Sequence, residues 1–111
     1  MGASRERKAA NEAVFREVNE RIEEMQHEFV RATDEPLHLV CECDRLSCTE
    51  DIEMFLDAYE RLRSDPACFV VVPTHEDTTV EEVVVSGAGY VVVRKRSGIP
   101  RDLAEATDPR R

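Results

Sequence analysis

The sequence predicts an α+β fold in which a long N-terminal amphipathic helix precedes a small, mainly antiparallel sheet with one shorter helix and a cysteine-rich knuckle. Three observations lead to this prediction. Residues 1–33 have apolar side chains at helical spacing, the middle of the chain contains short β-branched runs, and three of the four cysteines lie close together. The length of 111 residues is that of one domain.

Residues 1–33 are predicted to form the amphipathic helix. Five apolar residues recur at steps of three or four and therefore form one stripe along it. This apolar stripe consists of Val14, Val18, Ile22, Met25 and Phe29. Such a helix depends on covering its stripe, either with the rest of the chain or with a second copy. Asp34-Glu35-Pro36 should end the helix, because the residue before a proline disfavours helical dihedral angles.

Residues 37–96 are predicted to form a small α+β domain that starts with a strand over Leu37 to Cys43. Two interpretations remain open for the segment that follows. One is a short returning strand at Asp51 to Met54 and then a helix over Leu56 to Arg63, and the other is one helical stripe that starts from a Thr49 cap. We favour the strand and helix.

A buried strand at Phe69 to Val72 and a β-hairpin complete the predicted sheet. The hairpin consists of Val83 to Val85 and Tyr90 to Val93, which flank a turn with two glycines. A short helix over residues 80–85 is the competing interpretation, which three consecutive valines disfavour.

Charge is distributed unevenly along the chain. The net charge of -9 combines a net -11 in residues 34–93 with a net +3 in residues 94–111. Because an acidic body repels phosphates, neither a nucleic acid nor an anionic membrane surface is an expected partner. Residues 97–111 contain two prolines and many charges, and are predicted to be a flexible, frayed tail.

No targeting or spanning segment is predicted. The longest apolar run, Phe69 to Pro73, is far shorter than the roughly 20 residues of a membrane-spanning helix, and no apolar region follows the N-terminal charges. We therefore expect a cytoplasmic protein. In that compartment cysteines are reduced or bind metal rather than forming structural disulfides.

Three cysteines and one histidine form the predicted site. Cys41, Cys43 and Cys48 have the spacing C-x-C-x4-C, and strand alternation puts the first two sulfurs on the same face. The loop after Cys43 can return Cys48 to them, and His75 is the predicted fourth ligand because it follows the buried strand. Since Cys3His is a usual composition for structural zinc, the sequence predicts one zinc ion at these residues.

Other cysteines and histidines offer alternatives. Any single cysteine is also a good core residue, although three within eight residues are harder to explain that way. His38 and His27 are alternative ligands, but His38 lies on the opposite strand face from Cys41 and His27 lies among acidic residues, which favours solvated positions. Cys68 is predicted to be a partly buried free thiol outside the site.

Several short segments also carry a resemblance to a known family. They are Val40 to Cys43, Cys48, Tyr59-Glu60, Asp65-Pro66, Phe69 to Val71, His75-Glu76 and Tyr90 to Val93. In these segments the chain resembles a family of small actinobacterial proteins without an assigned function, from about Asn11 to about Asp108. The resemblance implies a compact bacterial cytosolic protein that retains the Cys-Cys-Cys-His set, and it implies no catalytic residue.

Two functional hypotheses follow. The first is a non-enzymatic protein-interaction or regulatory module that contains a structural zinc ion and contacts a protein partner or a second copy through its N-terminal helix. The second is a thiol sensor that releases its metal on oxidation, with Cys68 as a resolving thiol. An enzyme is not expected, because no serine nucleophile or paired-carboxylate cleft is identifiable near His75.

Overall fold

Residues 2–110 are described by a computed structural model, with side chains from residue 5 onward; Met1 and Arg111 lie outside the described residues. The helices are α1 (Gly2–Thr33), α2 (Leu56–Arg63) and α3 (Ile99–Ala106). The strands are β1 (Leu37–Val40), β2 (Asp51–Met54), β3 (Cys68–Val71), β4 (Glu81–Gly87) and β5 (Tyr90–Lys95). The predicted α+β fold is confirmed, although it has two antiparallel sheets, β1-β2 and β3-β5-β4, instead of one.

The segment after the cysteines adopts the strand and helix that we favoured. β2 and α2 have the predicted bounds, and β2 pairs with β1 so that Leu37 lies opposite Met54. Ile52 and Met54 are buried while Asp51 and Glu53 are exposed, which is the alternation of a half-buried strand. The single helical stripe from Thr49 is therefore wrong.

The predicted hairpin forms from β4 and β5. Its two-residue turn, Ala88 and Gly89, has a φ of 80° at Gly89, in the left-handed region that glycine adopts without strain. β4 is an edge strand of its sheet, and its three consecutive valines, Val83 to Val85, are 42–51% exposed. Val83 pairs with Val93 and Val85 with Val92, so that Val84 is an extra residue in a β-bulge.

Four of the five residues in the apolar stripe of α1 face away from the rest of the chain, while Ile22 is half-buried against the core. Met25 is 80% exposed, Phe29 63%, Val14 53% and Val18 39%. The side of α1 that packs on the sheets is largely polar and includes the buried residues Glu12, Arg16, Asn19, Glu20 and Glu23. Of the two covers expected for the stripe, the rest of the chain therefore covers Ile22 but leaves these four residues exposed.

Arg16 attaches α1 to two other elements. Its guanidinium donates to the Pro66 carbonyl and to the Ala104 carbonyl, each at 2.7 Å, and lies 4.4 Å from the ring centre of Phe69. These contacts place the buried guanidinium against backbone oxygens and an aromatic face, although its Nε has no hydrogen-bond partner among the described residues. Directed hydrogen bonds thus hold the helix in place, together with the core contacts of Val30 and Ile22.

Side chains of α1 also cover the outer edge of β1. The side-chain nitrogen of Asn19 donates to the Val40 carbonyl at 2.8 Å, and its side-chain oxygen accepts from the Val40 backbone amide at 2.9 Å. A neighbouring strand would bind the same two backbone groups. Gln26 accepts from the His38 amide at 3.2 Å. Because a strand edge needs partners for its backbone groups, this covering fixes α1 along the two-stranded sheet.

The segment predicted as a frayed tail is a helix instead. α3 starts at Ile99, and Pro100 lies in its first turn, where the missing amide of proline costs nothing. Ala104 of α3 is buried, and Arg110 forms ion pairs with Glu20 and Glu60. The tail prediction is therefore wrong, because long-range contacts order a segment whose composition is typical of a flexible end.

A buried charge cluster joins α1 to the three-stranded sheet. The Lys95 ammonium donates to Glu12 at 2.7 Å and to Glu81 at 2.6 Å, and all three residues are buried. Burial raises the pKa of Glu12 to about 7, although the attraction of Lys95 acts in the opposite direction. Two carboxylates thus share one ammonium in a desolvated position.

The cluster predicts a pH dependence of stability. Since the pKa of Glu12 is higher in the folded chain than its ordinary 4.5, the folded state binds the proton more tightly and stability falls as pH rises from about 5 to about 7. Relative to a Glu12→Gln variant, the unmodified chain should lose about 2–3 kcal/mol of unfolding free energy over this interval. Urea unfolding at several pH values measures the difference.

Glu17→Gln is the matched control, because Glu17 is an exposed glutamate on the same helix. Glu17→Gln should keep the pH dependence of the unmodified chain, because it retains Glu12 and the groups around it. If Glu12→Gln and Glu17→Gln show the same pH profile, Glu12 does not titrate in this range.

Candidate metal centre

The four predicted ligands come from two loops that meet between the sheets. Cys41, Cys43 and Cys48 lie in the loop from β1 to β2, and His75 lies in the loop from β3 to β4. Their three sulfurs and one imidazole nitrogen all lie within 4.8 Å of one another. The structure therefore brings together the set that the cysteine spacing predicts, and this set is positioned to hold a metal ion.

The distances within the group fit a tetrahedral ion. The Nδ1 atom of His75 lies 3.7 Å from Sγ of Cys41 and 3.6 Å from Sγ of Cys48. Metal–sulfur and metal–nitrogen bonds of about 2.3 and 2.0–2.1 Å at a tetrahedral angle separate sulfur from nitrogen by about 3.6 Å. These two separations are therefore those expected around a bound ion, and Nδ1 is the imidazole atom that faces the sulfurs.

Backbone hydrogen bonds hold the ligands in place. The Val72 amide donates to Sγ of Cys41 at 3.3 Å, which is the contact that stabilises a metal-bound thiolate. The Cys48 amide donates to the Arg45 carbonyl at 3.0 Å, and the His75 amide to the Val72 carbonyl at 3.0 Å. Cys48 and His75 are therefore each the last residue of a tight turn.

Burial determines the chemistry of the sulfurs. Cys41 and Cys43 are 2% and 1% exposed, whereas Cys48 and His75 are half-buried. Burial raises the pKa of the Cys41 and Cys43 thiols above the ordinary value. Since a metal ligand must be a thiolate, a cation is the group that would compensate for the burial of these sulfurs.

Glu42, between the first two cysteines, has its side chain in a buried polar cluster. It is 0% exposed and forms two hydrogen bonds of 2.8 Å with the guanidinium of Arg63. Its carboxylate also accepts from the Asn19 amide at 2.8 Å and from the Val70 amide at 3.0 Å. Every oxygen of this buried carboxylate therefore has donors, as a buried charge requires.

Glu42 also connects the cysteine segment to the larger sheet. Its backbone amide donates to the Val70 carbonyl at 2.8 Å, while the preceding Cys41 amide donates to the Glu50 carbonyl next to β2. The strand before His75, β3, pairs with β5 and not with β1. The two segments instead meet through Glu42 and Val70, beyond the end of β1.

Sequence reasoning missed Glu42 as part of this region. The signal was an acidic residue between the two cysteines of a strand-like Leu-Val-Cys-Glu-Cys segment, where alternation would point its side chain away from the two sulfurs. Nothing in the local sequence identifies Arg63 or Asn19 as its partners, because both are more than 20 positions away.

The remaining histidines and cysteine lie outside the group. His27 contacts Glu23 at 2.6 Å, and His38 lies 3.8 Å from Glu53 with its side chain 63% exposed. Cys68 is buried at the start of β3, and burial raises its pKa to about 11. All four cysteines are free thiols.

No protein-family model, curated protein or solved structure matches this chain. The resemblance to small actinobacterial proteins therefore stays a prediction. Among residues 2–110, no helix combines the length and the apolar composition needed to cross a membrane.

The burial of Glu42 predicts a large effect of its neutralisation. Glu42→Gln leaves the Arg63 guanidinium buried without a counter-charge, which should lower the unfolding free energy by about 3–5 kcal/mol. Because the change also loosens the segment between two ligands, we expect metal affinity to fall by about 10–100-fold. Denaturant unfolding and competition with a chromophoric chelator measure the two effects.

Glu53→Gln provides the control, since Glu53 is a β2 glutamate whose side chain is 65% exposed. It should change stability by no more than about 0.5 kcal/mol. Equal effects of the two substitutions would show that the buried ion pair does not support the cysteine segment.

Proposed function

We propose that this chain is a non-enzymatic protein built around one structural zinc ion, which Cys41, Cys43, Cys48 and His75 bind. The observation that carries the proposal is the convergence of three sulfurs and one imidazole nitrogen within 4.8 Å, at separations that suit a tetrahedral ion. Zinc would join the loop between β1 and β2 to the loop between β3 and β4.

The donor set favours zinc over the harder divalent cations. Thiolate and imidazole ligands suit Zn²⁺, whereas Mg²⁺ and Ca²⁺ prefer oxygen donors. Four protein ligands complete the tetrahedral coordination of zinc, so no position is left for a water molecule or a substrate. The proposed role is therefore structural rather than catalytic.

The architecture explains why a metal ion is useful here. The two-stranded sheet has strands of only four residues, and such a sheet is marginally stable without further packing. Binding of structural zinc contributes about 10–16 kcal/mol in small zinc peptides at neutral pH, far more than one additional apolar contact. A zinc ion that links the two sheets would thus stabilise the two-stranded sheet.

A cavity of about 280 Å³ between α1, α3 and the loop before β4 does not suggest catalysis. Its most buried charged group, the Lys95 ammonium, already binds Glu12 and Glu81. An acid or base for catalysis must be able to reach a substrate proton, and these groups face one another instead. This pairing supports the non-enzymatic part of the proposal.

Burial of the sulfurs favours a structural site over a thiol sensor. Sensor cysteines are accessible to solvent, whereas Cys41 and Cys43 are buried. Cys68, the resolving thiol of the sensor hypothesis, is also buried.

Metal analysis tests the proposal directly. The purified chain should contain about one zinc ion per molecule, and chelator should lower its melting temperature. Cys41→Ser should lose the ion and much of the stability, whereas the matched control Cys68→Ala should keep it. Four titratable thiols, no metal and an unchanged melting temperature in chelator would refute the proposal.

Mild peroxide distinguishes the structural site from the sensor. For the structural site, zinc release should occur only together with unfolding, because the sulfurs are protected by burial and by the metal. A zinc-responsive dye and circular dichroism can follow both events in one sample. Stoichiometric and reversible release from folded protein would instead support the sensor.

A further inference from the structure

The apolar stripe of α1 is the feature that the proposed function leaves unused. It spans 16 residues, from Val14 to Phe29, along the outside of the molecule, and its two largest side chains, Met25 and Phe29, are 80% and 63% exposed. Contiguous exposed apolar surface of this kind marks an interface in soluble proteins. The opposite face of α1 is already occupied by its polar contacts with the sheets.

The four exposed residues of the stripe are placed symmetrically along α1. Val14 and Phe29 are equally distant from the midpoint between Arg21 and Ile22, and so are Val18 and Met25. A twofold axis through that midpoint would therefore place Val14 of one chain opposite Phe29 of a second copy, and Val18 opposite Met25. This pairs a small side chain with a large one at each level, as interdigitating helices require.

A groove lies where the symmetry would place the phenyl ring. It has a volume of about 390 Å³ at the N-terminal half of the stripe, next to the end of α3. Its lining residues are Ala13, Val14, Glu17, Val18, Arg21 and Thr107. An exposed aromatic ring and a largely apolar groove on the same surface are complementary, and an antiparallel twofold arrangement would fill both copies of the groove at once.

Charge at the ends of α1 favours the antiparallel direction. Arg5 and Arg7 are exposed near its start, and Asp34 and Glu35 are exposed just beyond its end. Antiparallel helices bring the basic end of one copy to the acidic end of the other, whereas parallel helices would bring like charges together.

We propose that two copies of this chain associate through the outward faces of their antiparallel α1 helices, with Phe29 of each copy in the Val14 groove of the other. The occupant of the stripe is thus a second copy of the chain. The proposal does not depend on the metal, because the stripe lies on the face of α1 turned away from the sheets.

Sedimentation equilibrium of the full chain as purified tests the association. The unmodified protein should be a dimer, and Phe29→Lys should weaken dimerisation at least about tenfold, since each dimer loses two buried rings. Val84→Lys is the matched control, because Val84 is a similarly exposed apolar residue on β4. It should leave the dimer intact, and circular dichroism should show that all proteins are folded.

A charge pair tests the geometry. Val14→Glu and Phe29→Lys should each disrupt the dimer, and the double variant should recover at least part of the affinity, because the two introduced side chains meet across the interface. Parallel helices would hold them apart and give no recovery. A monomer at concentrations up to about 1 mM, equal disruption by Val84→Lys, or no recovery in the double variant would each overturn the proposal.

Discussion

Two opposite charges, the carboxylate of Glu42 and the guanidinium of Arg63, are buried together where α1, α2 and the two sheets meet. Their side chains are 0% and 2% exposed, and two hydrogen bonds of 2.8 Å join them. An unpaired charge at this position costs several kcal/mol, so compact arrangements that separate the two groups are strongly disfavoured. The pair therefore fixes where the cysteine segment lies relative to α2 and β3.

The three residues from Cys41 to Cys43 carry two kinds of link on opposite faces. The sulfurs of Cys41 and Cys43 belong to the ligand group with His75, whereas the carboxylate of Glu42, between them in the sequence, pairs with Arg63. One face thus offers ligands to an ion while the other is tied to α2 by a salt bridge. Because the second link belongs to the protein alone, the ligands are partly preorganised before any metal arrives.

Local patterns predicted those parts of the structure that depend on local physics. The alternation of Ile52 and Met54 identifies β2, and the valine runs around Gly87 and Gly89 identify the hairpin. The ligand group was also predictable, because few combinations of side chains have the chemistry of a metal site. Neither conclusion requires knowledge of distant contacts.

The orientation of α1 and the helix α3 were not predictable in this way. Hydrophobic periodicity assumes that the apolar side of a helix packs inward, but α1 packs through Arg16 and Asn19 on backbone oxygens and a strand edge far along the chain. Likewise, Pro100 and the charges around it suggested disorder until Ala104 and Arg110 found their partners on α1. Polar contacts of long sequence separation leave no periodic signal.

The bulge at Val84 affects how the outer strand meets other molecules. A straight valine-rich edge offers a row of free amides and carbonyls on which a foreign strand can align, the first step of fibrillar aggregation. The extra residue in β4 interrupts that row, so an incoming strand could not form a continuous ladder across Val84. The three-stranded sheet thereby tolerates an exposed, β-branched border while disfavouring its own extension into a fibre.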